Sequence, residues 1–430
     1  MRLIAPILVL ALAAVVPAEA SAGPSSLAAL DLYRLALEES RLDIDRQGVL
    51  FETLDGERLL SYNVDCPFNP ASVVKIATSV VAIEKLGPDY RYGTGFYTNG
   101  TFSPDTGELV GDLIVVGAAD PMMTTENAFL VAKELRSRGV SRITGNFVVK
   151  GPLYLNFSMD RPAAGRTMKS ALDVELWTQS IEIAYERFRL QTGTDTFESV
   201  TVDGAVVVVN DSSVAGLTPL FVLRSVPLVK ILKQLNNYSN NWMASVIGAK
   251  VGGPSYVEHS VAQRFGIPSR ELYFDTCSGL GTNGMRPTDV VKMLRHTRER
   301  LQPKAYGPVN IMPVAGVDPG TLDDRFLEPA FRGAVIAKTG TLRSVSALAG
   351  YMHTRNKGIV LFAIMNSGGS PSRFRKLQDD LVRQMFAVCG GPVPTHYSRP
   401  RSVANFSGAF IERAPGNIPE SRRVAPAASN

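Results

Sequence analysis

A serine and a lysine three positions apart are the first residues of this sequence whose types and spacing could do chemistry. Ser72 and Lys75 follow Pro70 in a segment that we predict to be helical up to Gly87. Proline is favoured in the first helical turn, and glycine commonly follows the last. Residues three positions apart share a helix face, so the hydroxyl and the amine can meet. A serine needs a neighbouring base to become a good nucleophile, and a lysine can be that base if burial or another cation lowers its pKa.

Two further short motifs follow in chain order. Residues 239–241 read Ser-Asn-Asn at a predicted turn between two helical segments, and residues 338–340 read Lys-Thr-Gly at the end of a predicted strand. Each motif alone is a weak signal, because a Ser-x-x-Lys tetrapeptide is expected roughly once or twice by chance in a chain of ordinary composition. A second Ser-x-Asn, at 61–63, lies in a predicted strand ahead of Ser72. The order and context of the three motifs make them stronger together.

The three motifs together predict an acyl-transfer site. We expect Ser72 to attack a carbonyl carbon while Lys75 accepts the proton of the serine hydroxyl. Ser239 can relay that proton to the leaving amine, and Asn241 can hold a substrate amide or the lysine. The backbone N–H groups of Ser72 and Thr341 are the predicted oxyanion hole.

The third motif predicts a substrate that ends in a carboxylate. Lys338 adds a positive charge that suits such a group, and the same charge would lower the pKa of a nearby Lys75. The hydroxyls of Thr339 and Thr341, on either side of Gly340, can hydrogen-bond the same carboxylate. Each motif alone also has an ordinary interpretation. Lys75 could be a surface lysine, and residues 338–340 could be a simple exit from a strand into a turn.

The chain resembles the low-molecular-mass class C penicillin-binding proteins, the D-alanyl-D-alanine carboxypeptidase/endopeptidase family of the serine peptidase S13 type. The ordered trio of motifs is typical of penicillin-binding proteins and of class A β-lactamases. The resemblance runs from about residue 45 to 390 and departs from the family pattern at Cys277, Ser245 and Pro319. The other stretches that carry it are 111–113, 119–121, 236–244, 278–280, 286–288, 312–322 and 345–351.

This resemblance implies an α+β fold of the β-lactamase/penicillin-binding type, with an antiparallel sheet flanked by helices. We expect the peptidase domain to comprise residues 23–95 and 215–390, and an inserted β-rich domain to comprise 96–214. Residues 391–430 carry six prolines and two acidic residues, a composition that predicts a disordered tail. The helical pattern of 287–302 is clear, whereas that of 175–189 is ambiguous.

The resemblance also implies a serine DD-peptidase that acts on peptidoglycan stem peptides. It would hydrolyse the terminal D-Ala-D-Ala bond, the D-Ala cross-link, or both, through an acyl-enzyme on Ser72 that water resolves. β-Lactam antibiotics would be inhibitors that trap this intermediate. Two alternatives stay open: a β-lactamase or esterase of the same fold, and a catalytically silent cell-wall-binding protein.

Other classes of function have little support in the sequence. The net charge of +5, from 45 basic and 40 acidic residues, is too small to indicate nucleic-acid binding. No His-Glu-x-x-His or Cys-x-x-Cys motif occurs, so we expect no metal and no cofactor. The Gly-x-Gly-x-x-Gly match at 279–284 is predicted to be a loop, because a dinucleotide site needs a helix that opens in this turn and the next predicted helix opens only at Pro287. The cysteines, Cys66, Cys277 and Cys389, predict no particular disulfide.

The N-terminal segment is typical of an export signal. Arg2 precedes an apolar run from 3 to 16, and small residues place cleavage near Ala20 or Ala22. The run is shorter than the roughly 20 apolar residues that a membrane-spanning helix needs. We therefore expect residues 1–22 to be removed, a periplasmic location, and no stable membrane span after removal.

Overall fold

The computed structural model describes residues 25–268, 270–397 and 407–413. Its helices are α1 Ser26–Glu39, α2 Val74–Leu86, α3 Thr125–Ser137, α4 Arg161–Leu172, α5 Gln179–Thr192, α6 Leu228–Tyr238, α7 Asn241–Val251, α8 Pro254–Phe265, α9 Pro287–Leu301 and α10 Pro371–Val388. Its strands are β1 Gln47–Thr53, β2 Arg58–Tyr62, β3 Gly93–Thr98, β4 Thr101–Ser103, β5 Glu108–Val110, β6 Leu113–Val116, β7 Arg142–Ile143, β8 Phe147–Lys150, β9 Thr201–Val202, β10 Val206–Val209, β11 Thr218–Arg224, β12 Tyr273–Phe274, β13 Asn283–Gly284, β14 Val335–Leu342, β15 Val345–Thr354, β16 Gly358–Ser367 and β17 Phe410–Arg413. Within these ranges no helix has the length and apolarity needed to cross a membrane. The predicted export signal lies outside the described residues.

A five-stranded antiparallel sheet, in the order β14-β15-β16-β1-β2, forms the base of the peptidase domain. Side chains alternate between the two faces of a strand. On β16, Leu361 and Met365 therefore pack under α2 and α9, while Phe362 and Ile364 pack under α1 and α10. The sheet is buried between two layers of helices, which confirms the predicted α+β fold.

The inserted domain has its own sheets and its own hydrophobic core. Its larger sheet has the order β10-β8-β6-β3-β11-β17, and its smaller sheet has the order β4-β5-β7-β9. The helices α3, α4 and α5 contribute buried side chains to this core, so "β-rich" describes only part of the domain. The predicted range 96–214 begins inside β3 and ends before β11. It therefore divides β3 and leaves out β11, because the pairing of these two strands joins segments more than a hundred residues apart.

The prediction of a disordered tail is wrong for residues 407–413. There β17 pairs antiparallel with β11 at the edge of the inserted sheet. Arg91 donates a hydrogen bond of 2.7 Å to the carbonyl of Gly408, and Arg224 forms an ion pair with Glu412. Composition is misleading here because backbone hydrogen bonds, an ion pair and the packing of one apolar side chain, Ile411, against the core of the inserted domain are enough to hold this short strand.

Asp318 lies in the loop between α9 and β14 and connects this loop to α6. We expect its side chain to stabilise the folded state. Its buried carboxylate pairs with Lys233 and accepts hydrogen bonds from the Val314 N–H at 2.8 Å and the Tyr397 hydroxyl at 3.0 Å. Asp318→Ala should lower the free energy of unfolding by about 3–5 kcal/mol, because it leaves the lysine buried without its partner. Urea denaturation measures the change. Asp323→Ala, at an exposed position, is the control, and an equal loss in both variants would contradict this role.

Candidate active site

Ser72 lies in a single 3₁₀ turn, Ala71–Val73, that leads directly into α2. The preceding Ala71 has a left-handed backbone, with φ of 48°, which costs about 1–2 kcal/mol for a residue with a Cβ. The Asn69 Oδ1 atom accepts a hydrogen bond of 3.0 Å from the Ala71 N–H and supports this turn. The serine is thus held just ahead of the helix N-terminus, where the helix dipole favours negative charge.

The Lys75 amine is fully buried and lies among three oxygen atoms. Its Nζ atom is 2.9 Å from Ser72 Oγ, 2.8 Å from Asn241 Oδ1 and 2.6 Å from the carbonyl oxygen of Ser278. Burial lowers the pKa of Lys75 to about 7. The uncharged amine is therefore well populated at neutral pH and can accept a proton.

Lys338 is a second fully buried amine in the site. It donates hydrogen bonds to Ser239 Oγ at 2.9 Å and to the Thr339 carbonyl at 2.7 Å. Burial, and then the charge of Lys75, lower the pKa of Lys338 well below its usual value. Burial is the cause of the lowered Lys75 pKa, whereas the charge interaction between the two lysines acts on the pKa of Lys338.

The second motif lies where α6 ends and α7 begins. Ser239 follows α6 in a left-handed conformation, with φ of 53°. The Asn240 side chain then caps α7 by accepting a hydrogen bond of 3.0 Å from the Met243 N–H. Asn241 is consequently the first residue of α7. Because the junction between the two helices is tight, side chains only two positions apart contact different amines. Ser239 contacts Lys338, and Asn241 contacts Lys75.

Two glycines allow the nucleophile turn to be closely surrounded. A Cβ atom at Gly340 would lie 2.3 Å from the Pro70 carbonyl oxygen, and one at Gly279 would lie 1.9 Å from that of Ala71. Both distances are far shorter than any real Cβ contact. The motif strand β14 and the loop at 278–280 therefore touch the turn from two sides. Thr341, next to Gly340, has an exposed side chain at this edge.

A family comparison agrees with this geometry. The model of the D-Ala-D-Ala carboxypeptidase 3 (S13) family matches residues 29–160 and 184–387. This chain belongs to that family. Membership confirms the predicted serine DD-peptidase activity of the carboxypeptidase type. The unmatched residues between the two ranges comprise α4 and the start of α5, in the inserted domain.

Individual relatives of this DD-peptidase match it over most of its length. Carboxypeptidase Rv3627c from Mycobacterium tuberculosis is 27% identical over 88% of each chain. The D-alanyl-D-alanine carboxypeptidase of Actinomadura sp. is 24% identical over 86% of this chain and 87% of that protein. The penicillin G-acylated endopeptidase Bd3459 from Bdellovibrio bacteriovorus has a TM-score of 0.71 at 21% identity, over 85% of this chain and 99% of that chain. Penicillin-binding protein 4 from Haemophilus influenzae has a TM-score of 0.60 at 19% identity, over 82% of this chain and 99% of that chain. These structures confirm the predicted fold type.

Sequence reasoning assigned no role to two groups that the DD-peptidase fold brings to the motifs. One is the backbone carbonyl of Ser278, which contacts the Lys75 amine. The other is Arg375 on α10, whose Nη2 atom lies 3.5 Å from Thr341 Oγ1. The stretch around Ser278 carried the family resemblance, but a backbone acceptor has no side-chain signature. Nothing in the sequence near Arg375 links it to the third motif.

The described part of the chain contains no cluster of three or more His, Cys, Asp or Glu side chains that could hold a metal ion. Cys66, Cys277 and Cys389 are all free thiols. Burial raises the pKa of Cys277 and of Cys389 to about 11. These two thiols are therefore poor nucleophiles at neutral pH.

Proposed function

We propose that this DD-peptidase cleaves peptidoglycan stem peptides through an acyl-enzyme on Ser72, with Lys75 as the general base. The observation that carries the proposal is the set of oxygens around the Lys75 amine. An uncharged amine has two hydrogens and one lone pair. The amide oxygen of Asn241 and the carbonyl oxygen of Ser278 can only accept hydrogen bonds. They take the two hydrogens, so the lone pair is left for the Ser72 hydroxyl.

The other motif residues support the remaining steps of the reaction. Ser72 Oγ attacks the D-Ala carbonyl carbon as its proton passes to Lys75. The N–H groups of Ser72 and Thr341 stabilise the resulting oxyanion. Ser239, which Lys338 orients through the 2.9 Å hydrogen bond, relays the proton from Lys75 to the departing amine, so that Lys75 is again uncharged and Ser239 again carries its own proton. The amine leaves with that proton, and water then resolves the ester on Ser72.

The substrate lies along β14, an edge strand of its sheet. Residues 313–315 pair with the start of this edge as far as Ala337, and within the described residues no strand pairs with the edge at the motif. An extended peptide can add to such an edge through backbone hydrogen bonds. Residues 339–341 bind the substrate there, with the Thr339 and Thr341 hydroxyls close to its carboxylate. The names of relatives support both bond types: one is a D-alanyl-D-alanine carboxypeptidase, and another is a peptidoglycan endopeptidase.

A periplasmic enzyme inhibited by β-lactams fits this function. Peptidoglycan lies outside the cytoplasmic membrane, and the predicted signal at 1–22 would export the chain. A β-lactam presents a reactive amide to the same serine. A structure of one relative is described as acylated by penicillin G, which supports the same covalent step here.

Mass spectrometry after exposure to benzylpenicillin tests the proposal. We expect a persistent covalent adduct on Ser72 that is absent from Ser72→Ala. Ser245→Ala, at an exposed serine beside the second motif, should keep the adduct. Folded wild-type protein without an adduct would overturn the proposal, and rapid loss of the adduct would favour the β-lactamase alternative. An adduct without cleavage of stem peptides or cross-links would favour the silent binding protein.

A further inference from the structure

The three motifs provide no exposed cation for the terminal carboxylate of a substrate. Lys338, the residue expected to supply that charge, is fully buried, and its amine already donates to Ser239 and Thr339. Its lowered pKa further reduces the positive charge that a substrate would meet. Thr341 is the exposed side chain of the motif strand, but its hydroxyl carries no charge. A carboxylate bound here requires a cation from another element.

We propose that Arg375 binds the terminal carboxylate of the substrate together with the Thr341 hydroxyl. The inference rests on the proposed function, because it assigns one subsite of the same reaction. Arg375 Nη2 lies 3.5 Å from Thr341 Oγ1, so both groups can reach one carboxylate. A guanidinium has five N–H donors and binds carboxylates in a bidentate manner. The contact with Thr341 uses one of these donors and leaves the others for the substrate.

A buried glutamine fixes Arg375 at this place. Gln378 lies one helical turn further along α10, and its amide donates to Ser346 Oγ at 3.1 Å and to Asn366 Oδ1 at 2.8 Å. Ser346 is the residue that pairs with Thr341 across β14 and β15. Residues three positions apart share one side of a helix. The Gln378 contacts therefore set the position of α10 on the sheet and, with it, that of Arg375 at Thr341.

Arg375 lines a surface pocket that also contains Asp324, Asp379 and Asp380, but it is not held by any of them in an ion pair. Within residues 25–268, 270–397 and 407–413, Arg375 forms no ion pair. The acidic residues that follow it on α10 are taken by other cations: Asp379 pairs with Arg325, and Asp380 with Arg383. An arginine keeps its charge at every pH of interest. A permanent cation that no ion pair of the described residues holds thus lies beside Thr341, where the substrate chain would end.

Both predicted cleavage reactions place a carboxylate at this position. In a D-Ala-D-Ala terminus, the leaving residue carries its carboxylate one carbon beyond the scissile nitrogen. In a D-Ala cross-link, the leaving amine is attached to a carbon of the neighbouring stem peptide. That carbon also bears a carboxylate when it is the α-carbon of an amino acid. Arg375 would therefore select substrates by the group that follows the scissile bond.

A pair of peptides that differ only at the C-terminus tests this assignment. One is an N-acylated D-Ala-D-Ala peptide with a free carboxylate, and the other is the same peptide with a C-terminal amide. We expect Arg375→Ala to lower kcat/KM for the acid about tenfold or more, mainly through KM, as for loss of a charge-assisted hydrogen bond. Hydrolysis of the amide should stay at the wild-type rate, and Arg375→Lys should recover part of the loss.

Lys376→Ala is the matched control, because Lys376 is the next exposed cation on α10. It should hydrolyse both peptides as the wild type does. Wild-type rates of Arg375→Ala on the acid, equal losses on acid and amide, or an equal loss in Lys376→Ala would each overturn the assignment. Failure of the wild-type enzyme on both peptides would instead contradict the proposed function, so the two failures are distinguishable.

Discussion

Lys75→Met is expected to slow acylation of Ser72 by a β-lactam about 10²- to 10⁴-fold, the range that a positioned general base contributes. Methionine keeps an unbranched apolar side chain in α2, so the packing of the helix changes little. It removes the amine that lies 2.9 Å from Ser72 Oγ. The serine hydroxyl then has no base for its proton. Stopped-flow measurement with a fluorescent penicillin gives the second-order rate constant of acylation.

Lys85→Met is the control for this substitution. Lys85 is an exposed lysine on the same helix, and its amine donates to the Val251 carbonyl, at the opposite end of α7 from Asn241. This variant should acylate at the wild-type rate. Rapid acylation of Lys75→Met, with a melting temperature close to that of the wild type, would show that another group takes the proton.

The same lysine sets the expected pH dependence of acylation. Because burial lowers the pKa of Lys75 to about 7, the ammonium form below that pH cannot accept a proton, and the acylation rate should rise as pH increases through about 7. The unfolded chain, with the ordinary lysine pKa of 10.5, binds this proton more tightly than the folded chain does. This group therefore disfavours folding most below pH 7, and its unfavourable contribution disappears between 7 and 10.5.

The sequence was sufficient for those parts of the site that lie within one helix or one turn. The spacing of Ser72 and Lys75 predicted their contact, because a helix brings residues three positions apart together. Gly87 does follow α2, with a positive φ of 85°, and α9 does begin at Pro287. These signals are local, so they do not depend on how distant segments pack.

The contacts between distant segments were the part that the sequence could not supply. The Ser278 carbonyl and Lys75 are 203 positions apart, and a carbonyl oxygen is common to every residue. The full burial of Lys338 could not be predicted either, because the extent of burial is a property of the packed fold. The ambiguous segment 175–189 became most of α5 because the inserted domain buries one of its faces.

Gly279→Ala is expected to lower the acylation rate by at least about 100-fold, the effect of misplacing reacting groups by roughly 1 Å. The new Cβ atom would lie 1.9 Å from the Ala71 carbonyl oxygen and 2.9 Å from the Ser72 nitrogen. The neighbouring atoms are backbone and cannot rotate away, so the turn must move. That movement displaces both the nucleophile and the Ser72 N–H that we propose for the oxyanion hole.

Gly281→Ala separates this displacement from simple backbone strain. Gly279 and Gly281 have φ of +84° and +82°, so an alanine at either position carries the same left-handed strain, about 1–2 kcal/mol. The three atoms nearest to a Cβ atom at Gly281 all belong to the Asp275 side chain, the closest being Oδ2 at 2.7 Å, and a side chain can move aside where a backbone cannot. Urea denaturation should therefore show a loss of stability in both variants, whereas only Gly279→Ala should lose acylation. Normal acylation by Gly279→Ala, or an equal loss in Gly281→Ala, would mean that the close approach of the 278–280 loop does not position Ser72.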